Sequence, residues 1–208
     1  WVINLPTDMI FHENDLEKLK TYLIKYNDHP AVVFPKFKFF SYKKCEFKTF
    51  DTLAINKSKY PDVKFNGGGD LCLATLNGKI LDQTNVPIVN VPIWNYDTTF
   101  RTKEIIMEDR ARFARAWFRE FNNWDDRGGE TPEEAYEEWL KMVKFRLPNH
   151  LIKKQISEHP KFIQNKLTNL RKEQFGYDCF GLIHEYKPKF FNYFNFMKTK
   201  IKYPMIKI

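Results

Sequence analysis

Three short stretches of this chain carry the residue types that could do chemistry. Asp8 follows an apolar run and the turn-forming Pro6. Asp70 directly follows three consecutive glycines. The third stretch consists of Trp94, Asn95, Tyr96 and Asp97, followed shortly by Arg101 and Lys103. Acids near cations suit two tasks, which are the binding of an anionic ligand and the removal of a proton from a substrate.

Asp8 is the candidate metal ligand. Residues 1–5 are apolar enough to predict a buried strand, which would place Asp8 at the carboxyl end of that strand. Ligands bind at this edge of open α/β sheets. A carboxylate before a tight turn can hold Mn²⁺ or Mg²⁺ against phosphate oxygens. The alternative is a turn aspartate that caps its own backbone.

Gly67, Gly68 and Gly69 are expected to act through their backbone rather than through side chains. Glycine adopts positive φ at little cost and lets a ligand approach the main chain closely. Asp70 either takes part in chemistry next to this segment or simply ends the turn.

Composition predicts a packed, globular protein. Of the 208 residues, 43% are hydrophobic and 17% are aromatic, which excludes a globally disordered chain. No apolar run approaches the roughly 20 residues of a transmembrane helix. Cys45, Cys72 and Cys179 are odd in number and widely spaced, so we expect free thiols in a reducing, cytoplasmic setting rather than disulfides or a zinc site.

Positive charge is concentrated in the last third of the chain. Residues 143–208 contain 14 Lys and Arg against 4 Asp and Glu, whereas residues 1–142 contain 20 against 22. Such a surface suits an anionic partner, namely nucleic acid, phospholipid or a phosphorylated glycan. A solubilising face is the alternative. The Lys- and aromatic-rich residues 186–208 could also make peripheral contact with the inner face of a membrane.

Strand and helix signals alternate up to about residue 122, and mostly helical signals follow. This order predicts an α/β fold with a mixed sheet flanked by helices and a helical C-terminal part. We place the boundary between residues 1–124 and residues 125–208. The predicted strands are 1–5, 31–40, 47–55 and 86–96, with a hairpin turn at 77–78. The predicted helices are 14–27, 102–122, 131–146 and 160–172.

The string WVINLPTDMIFHENDL, followed by a helix and AVVFPKFKFF, resembles the middle of a family 2-type glycosyltransferase with the GT-A fold. In that family a Trp-led apolar strand runs into an Asp-x-Asp-type motif. Its carboxylates bind a metal ion and the diphosphate of a nucleotide sugar. Asp8 matches the second acid of this motif, while Pro6 and Met9 stand where neighbouring acids would be.

The resemblance extends over residues 1–120. NGGGDLCLATLNGKIL is similar to the acceptor-side loop of the family, where Asp70 takes the place of an acid near the anomeric carbon. VPIWNYDTTFRTKEIIMEDRARFARAW is similar to a segment that carries His-Tyr and then a basic residue before a helix; here Asn95 and Tyr96 replace His-Tyr. By this resemblance, strands that bind the base and ribose are expected to precede Trp1.

The resemblance implies inverting transfer of a sugar from a nucleotide diphosphate sugar to a hydroxyl of a glycan or other acceptor. Asp70 would be the general base, with Asp97 as the second candidate. Asp8, through a metal ion, would stabilise the departing diphosphate together with Arg101 or Lys103. The remaining predicted substrate contacts are Gly67, Gly68, Gly69, Trp94, Asn95 and Tyr96.

A basic aromatic binding module without catalysis is the alternative function. It would bind nucleic acid or a membrane surface through the last third of the chain. Nucleic acid is the less favoured partner, because the sequence contains neither an RNP motif nor a zinc finger.

Overall fold

A computed structural model describes residues 1–41, 44–66, 72–146 and 151–181. The strands in these ranges are β1 (Val2–Ile3), β2 (Met9–Phe11), β3 (Ala31–Ser41), β4 (Lys44–Ile55), β5 (Lys64–Asn66), β6 (Leu73–Leu76), β7 (Lys79–Ile80), β8 (Ile93–Asn95) and β9 (Leu151–Lys153). The α-helices are α1 (Leu16–Lys25), α2 (Lys103–Phe121), α3 (Pro132–Lys141), α4 (Lys161–Thr168) and α5 (Phe175–Asp178).

The main sheet is mixed and centres on β3. Its strands follow the order β1-β4-β3-β8-β2, and β9 also pairs with β4. β3 runs parallel to β8, whereas the other pairs in this sheet are antiparallel. β5, β6 and β7 form a second, three-stranded sheet. The predicted α/β class with a mixed sheet is therefore confirmed.

Both faces of β3 are covered, as expected for a central strand with a nearly continuous apolar sequence. Val32 and Phe34 are fully buried in a cluster that includes Leu19 of α1. Ala31 and Val33 alternate with them and pack on the opposite side, in a cluster that reaches the small sheet. Because side chains alternate between the two faces of a strand, β3 contributes residues to two hydrophobic cores.

Pro35 lies inside this central strand. The pairing of β3 with β4 shifts register between Val32 and Phe34 and again between Lys36 and Phe37. Proline cannot donate to a ladder, so it requires an edge strand or a bulge. The structure has an irregular register on both sides of Pro35, in the middle of the sheet.

The prediction of a buried strand over residues 1–5 is wrong. β1 has two residues, and the side chains of Val2 and Ile3 are 48% and 37% exposed. In the described part of the chain β1 pairs with β4 alone, so it forms an edge of the sheet. Consequently Asp8 does not end a buried strand but immediately precedes β2.

Local turn and capping signals agree with the structure. Thr131, at the start of the predicted helix 131–146, forms a capping box with Glu134 at the start of α3, next to Pro132. Asn77 and Gly78 have φ values of 51° and 76° between β6 and β7, as a tight hairpin turn requires. Helix lengths agree less well. α1 ends two residues early, α3 continues from residue 142 as a π-helical turn, and α4 is shorter than predicted.

The C-terminal helices pack on the sheet and on α2. A shared cluster contains Phe40, Ile106, Tyr136, Trp139, Val143, Phe175 and Cys179, so both predicted parts of the chain contribute to one core. Residues 182–208 lie outside the described residues, and they include the segment 186–208 predicted to contact a membrane and part of the basic last third predicted to bind nucleic acid. Within the described ranges, no helix combines the length and apolarity needed to cross a membrane.

The segment at the start of α5 is joined to the turn after β8 by backbone hydrogen bonds. The amide of Phe175 donates to the carbonyl of Arg101 at 2.8 Å, and the amide of Gly176 donates to that of Thr99 at 3.0 Å. A Cβ atom at Gly176 would lie 2.3 Å from the carbonyl oxygen of Thr99. The close approach of these two backbones therefore needs glycine.

We predict that Gly176→Ala lowers the free energy of unfolding by about 1–3 kcal/mol, because the added methyl group must push the two backbones apart. Urea denaturation measures this change. Tyr177→Ala is the matched control, since the side chain next in sequence is 40% exposed and a smaller loss is expected there. Equal losses in the two variants would rule out the close contact as the cause.

Candidate functional site

A cavity of about 770 Å³ opens beside the ends of β2 and β8. The paired strands supply one wall, and α4 with the loop that follows it supplies another. The lining residues are Thr7, Asp8, Ile10, Tyr96, Asp97, Phe100, Arg101, Phe162, Ile163, Lys166, Asn169, Arg171 and Gln174. The structure thus brings together four residues predicted from sequence, which are Asp8, Tyr96, Asp97 and Arg101.

Antiparallel pairing explains why Asp8 and Asp97 share this cavity. Met9 lies opposite Asn95 in the ladder, and the amide of Tyr96 donates to the carbonyl of Asp8 at 2.8 Å. Asp8 precedes β2, while Asp97 follows β8. Because the two strands run in opposite directions, the start of one and the end of the other lie at the same edge.

Asp97 is surrounded by cations. Its carboxylate lies 2.9 Å from a guanidinium nitrogen of Arg101, 3.2 Å from one of Arg110 and 3.9 Å from Nζ of Lys38. The Asp97 side chain is only 11% exposed. A carboxylate that already accepts from two guanidinium groups is better suited to holding Arg101 than to taking a proton from a substrate.

Asp109, on α2, holds the same two arginines from the other side. Arg101 and Arg110 each lie 2.8 Å from its Oδ2, and Arg112 contacts its Oδ1. Burial alone would raise the pKa of Asp109. The hydrogen bond from Arg112 and the charges of Arg110 and Arg101 outweigh burial, so the pKa lies below its ordinary value.

This network leaves positive charge at the cavity wall. Around the carboxylates of Asp97 and Asp109 lie four cations: Lys38, Arg101, Arg110 and Arg112. Arg101 is 29% exposed and lines the cavity, to which Lys166 and Arg171 add further positive charge. The site therefore favours an anionic ligand.

Tyr96 lines the cavity, and its side chain is held in place by residues of the core. Its ring stacks on Phe39 with centroids 4.9 Å apart, and its hydroxyl hydrogen-bonds Nδ1 of the fully buried His159 at 2.7 Å. The ring is therefore fixed by the core, and its hydroxyl is already engaged there.

The other predicted substrate contacts lie elsewhere. Trp94 is 4% exposed and packs on Phe39. Asn95 is also buried, and its Oδ1 accepts from the amide of Asp97 at 3.2 Å, which helps to position that acid. Lys103 begins α2 outside the cavity, with Nζ 5.4 Å from the centre of the Tyr136 ring.

Four further predicted residues cannot be placed in this geometry. Gly67, Gly68, Gly69 and Asp70 lie outside the described residues, so the prediction of Asp70 as general base stays a prediction.

The described acids do not form a metal cage. Among residues in the described ranges, no group of three or more His, Cys, Asp or Glu side chains could hold a metal ion. On the cavity wall, Asp8 and Asp97 are the acids, and Asp97 is committed to arginines. This donor set does not fit a metal ion bound by the described residues alone.

Sequence analysis missed several residues of the site. Asp109 and Arg110 lie about two turns into α2, and the closely spaced opposite charges of the run at 109–112 were the available signal. Lys166 and Arg171 were counted only as part of the basic last third. Their place in the cavity follows from the packing of α4 and of the loop after it, which no local pattern indicated.

Comparisons of this chain with protein-family models, with curated proteins and with solved structures found no match.

The low pKa of Asp109 predicts a contribution to acid stability. The deprotonated form stabilises the fold above the ordinary aspartate pKa of about 3.9, and this contribution disappears as pH falls through the lower folded-state pKa. We expect urea denaturation between pH 6 and pH 2 to show a shallower loss of stability on acidification for Asp109→Asn than for the wild type. The exposed Asp62→Asn, which removes a carboxylate outside the arginine network, is the control, and Asp109→Asn should change the slope more than this variant does. Identical slopes for Asp109→Asn and wild type would contradict this role.

Proposed function

We propose that this protein transfers a glycosyl group from a nucleotide diphosphate sugar to a hydroxyl acceptor, as the resemblance to GT-A glycosyltransferases implies. The observation that carries the proposal is the shared cavity of Asp8, Asp97 and Arg101. Asp8 is about 90 positions from Asp97 and Arg101 in sequence and was singled out separately from them. A cavity with acids, fixed cations and an aromatic wall suits a ligand that combines a sugar with phosphates.

The reaction is a single displacement at the anomeric carbon. The acceptor oxygen forms a bond to that carbon while the bond from carbon to the diphosphate oxygen breaks, and the diphosphate leaves with the electron pair. The acceptor proton passes to a general base, the role that the resemblance gives to Asp70.

Arg101 is the group that neutralises the departing diphosphate. Its guanidinium is held by Asp97 and Asp109 at 2.9 and 2.8 Å, yet it remains partly exposed to the cavity. A cation fixed before the reaction stabilises developing charge without reorganisation in the transition state. In this proposal Asp97 is a positioning residue that acts through Arg101.

Asp8, which precedes β2, lines the same cavity as Arg101. A partly buried carboxylate at the cavity wall can accept hydrogen bonds from sugar hydroxyls. A divalent cation would need oxygens beyond those of Asp8, which the donor's own phosphates could supply. No step of the proposed reaction therefore depends on a metal ion.

We predict that Arg101→Gln weakens the binding of inorganic pyrophosphate, the part common to all nucleotide diphosphate sugars, by about 10- to 100-fold, since a hydrogen bond to a charged group contributes about 1.5–3 kcal/mol. Isothermal titration calorimetry at low salt measures the affinity. Lys103→Gln is the control, because Lys103 is also cationic but lies outside the cavity. If Lys103→Gln loses as much affinity as Arg101→Gln, general surface charge is responsible and the proposed subsite is wrong.

A second prediction concerns Asp70. In the full chain, Asp70→Asn should reduce turnover by roughly 10²–10⁴-fold, the usual contribution of a general base, with little change in donor affinity. Release of nucleoside diphosphate from a panel of nucleotide sugars measures turnover. Unchanged turnover would exclude Asp70 as the base. Tight pyrophosphate binding without turnover of any sugar donor would instead favour the non-catalytic binding module.

A further inference from the structure

Helix α4 presents two different stripes to its surroundings. Ile163 and Leu167 are 6% and 2% exposed and pack in the aromatic core with Phe37, Phe39, Trp94 and Tyr96. Phe162, Lys166 and Asn169 are spaced i, i+4 and i+7, which places them on one face, and all three line the cavity. We call these three residues the α4 stripe.

Phe162 lies outside the hydrophobic core. Its side chain is 60% exposed, although burying a phenylalanine would be favourable. It lies one turn before Lys166, so an aromatic face and an ammonium group are adjacent on the cavity wall. A pyranose ring offers an apolar C–H face that suits the former, and an acidic substituent suits the latter.

Lys166 is separate from the arginine network. Among the described residues no acid forms an ion pair with it, whereas Arg101 is held by two carboxylates and Arg171 lies 3.5 Å from Glu173. The cavity therefore has two cationic regions of different kinds. One is fixed at the end of β8, and the other is carried by α4.

The position of α4 across the cavity is fixed at its first residue. The amide of Lys161 donates to Oε1 of Glu13 at 3.1 Å, which ties the helix to the segment after β2. Gln164 donates to the carbonyl of His159 at 2.7 Å. These bonds hold the α4 stripe at a set position relative to Asp8.

We propose that the α4 stripe binds an anionic sugar, so that the acceptor of the reaction carries a phosphate or carboxylate group. Phe162 packs against the sugar ring, and Lys166 pairs with the acidic substituent. The role of this sugar as the acceptor rests on the proposed function, whereas the ligand class follows from the residues of the α4 stripe. The diphosphate of the donor then occupies the other cationic region, at Arg101.

The test measures the binding of glucose 6-phosphate by amide chemical shifts of residues 161–169 in the full chain. We expect saturable shifts in the α4 stripe, with weaker binding of both glucose and inorganic phosphate. Lys166→Gln should lower the affinity about tenfold, and Phe162→Ala should reduce the advantage of the sugar phosphate over inorganic phosphate. Lys161→Gln, an exposed cation on the same helix outside the cavity, should bind as the wild type does. Raising the salt concentration should weaken binding in the wild type more than in Lys166→Gln.

Three results would overturn the inference. The first is the absence of shifts in the α4 stripe with glucose 6-phosphate. The second is equal affinity of Lys166→Gln and wild type. The third is binding of uridine monophosphate there in preference to sugar phosphates, which would assign the stripe to the donor. Failure of the proposed function looks different, because glucose 6-phosphate would still bind the stripe while no sugar donor is turned over.

Discussion

Two carboxylates in a mostly buried position hold the cations on which the site depends. Asp97 and Arg110 are each 11% exposed, so neither charge is well solvated, and each needs its partners. Removing one member of a buried pair typically costs about 3–5 kcal/mol because the other charge is left uncompensated. The direction in which Arg101 points is therefore tied to the packing of α2 against the end of β8, and the charge of the cavity follows from that packing.

The same cavity requires the pairing of β2 with β8. It also requires that α4 and the loop after it pack beside these two strands. Asp8 reaches Tyr96 through a backbone hydrogen bond between antiparallel strands, and Arg101 is joined through its carbonyl to Phe175. Segments that are distant in sequence thus supply opposite walls. Helix α4 and the loop after it thus form one side of the site, and α4 contributes an aromatic ring and a cation that pairs with no acid among the described residues.

Local sequence signals predicted local structure well. The capping box at Thr131 and the turn at Asn77 depend on residues within three positions of each other, so they depend little on the rest of the fold. Strand burial was predicted less well. Residues 1–5 are as apolar as a core strand, but whether a strand lies at the edge or the centre of a sheet depends on which strands pair, and apolarity alone does not encode this. Pro35 shows the converse, since a central strand tolerates proline where the register shifts.

By itself, the sequence determined the α/β class, the main helix starts and four residues of the cavity, because periodicity, capping and residue type act over a few positions. Only the tertiary structure decided that Asp97 is bound by arginines, that Lys103 lies outside the cavity and that Lys166 lies inside it. These outcomes depend on where α2 and α4 pack and on which face each helix turns toward the cavity. That packing is set by the shared core around Phe40, Ile106 and Phe175 and by the aromatic cluster around Phe39.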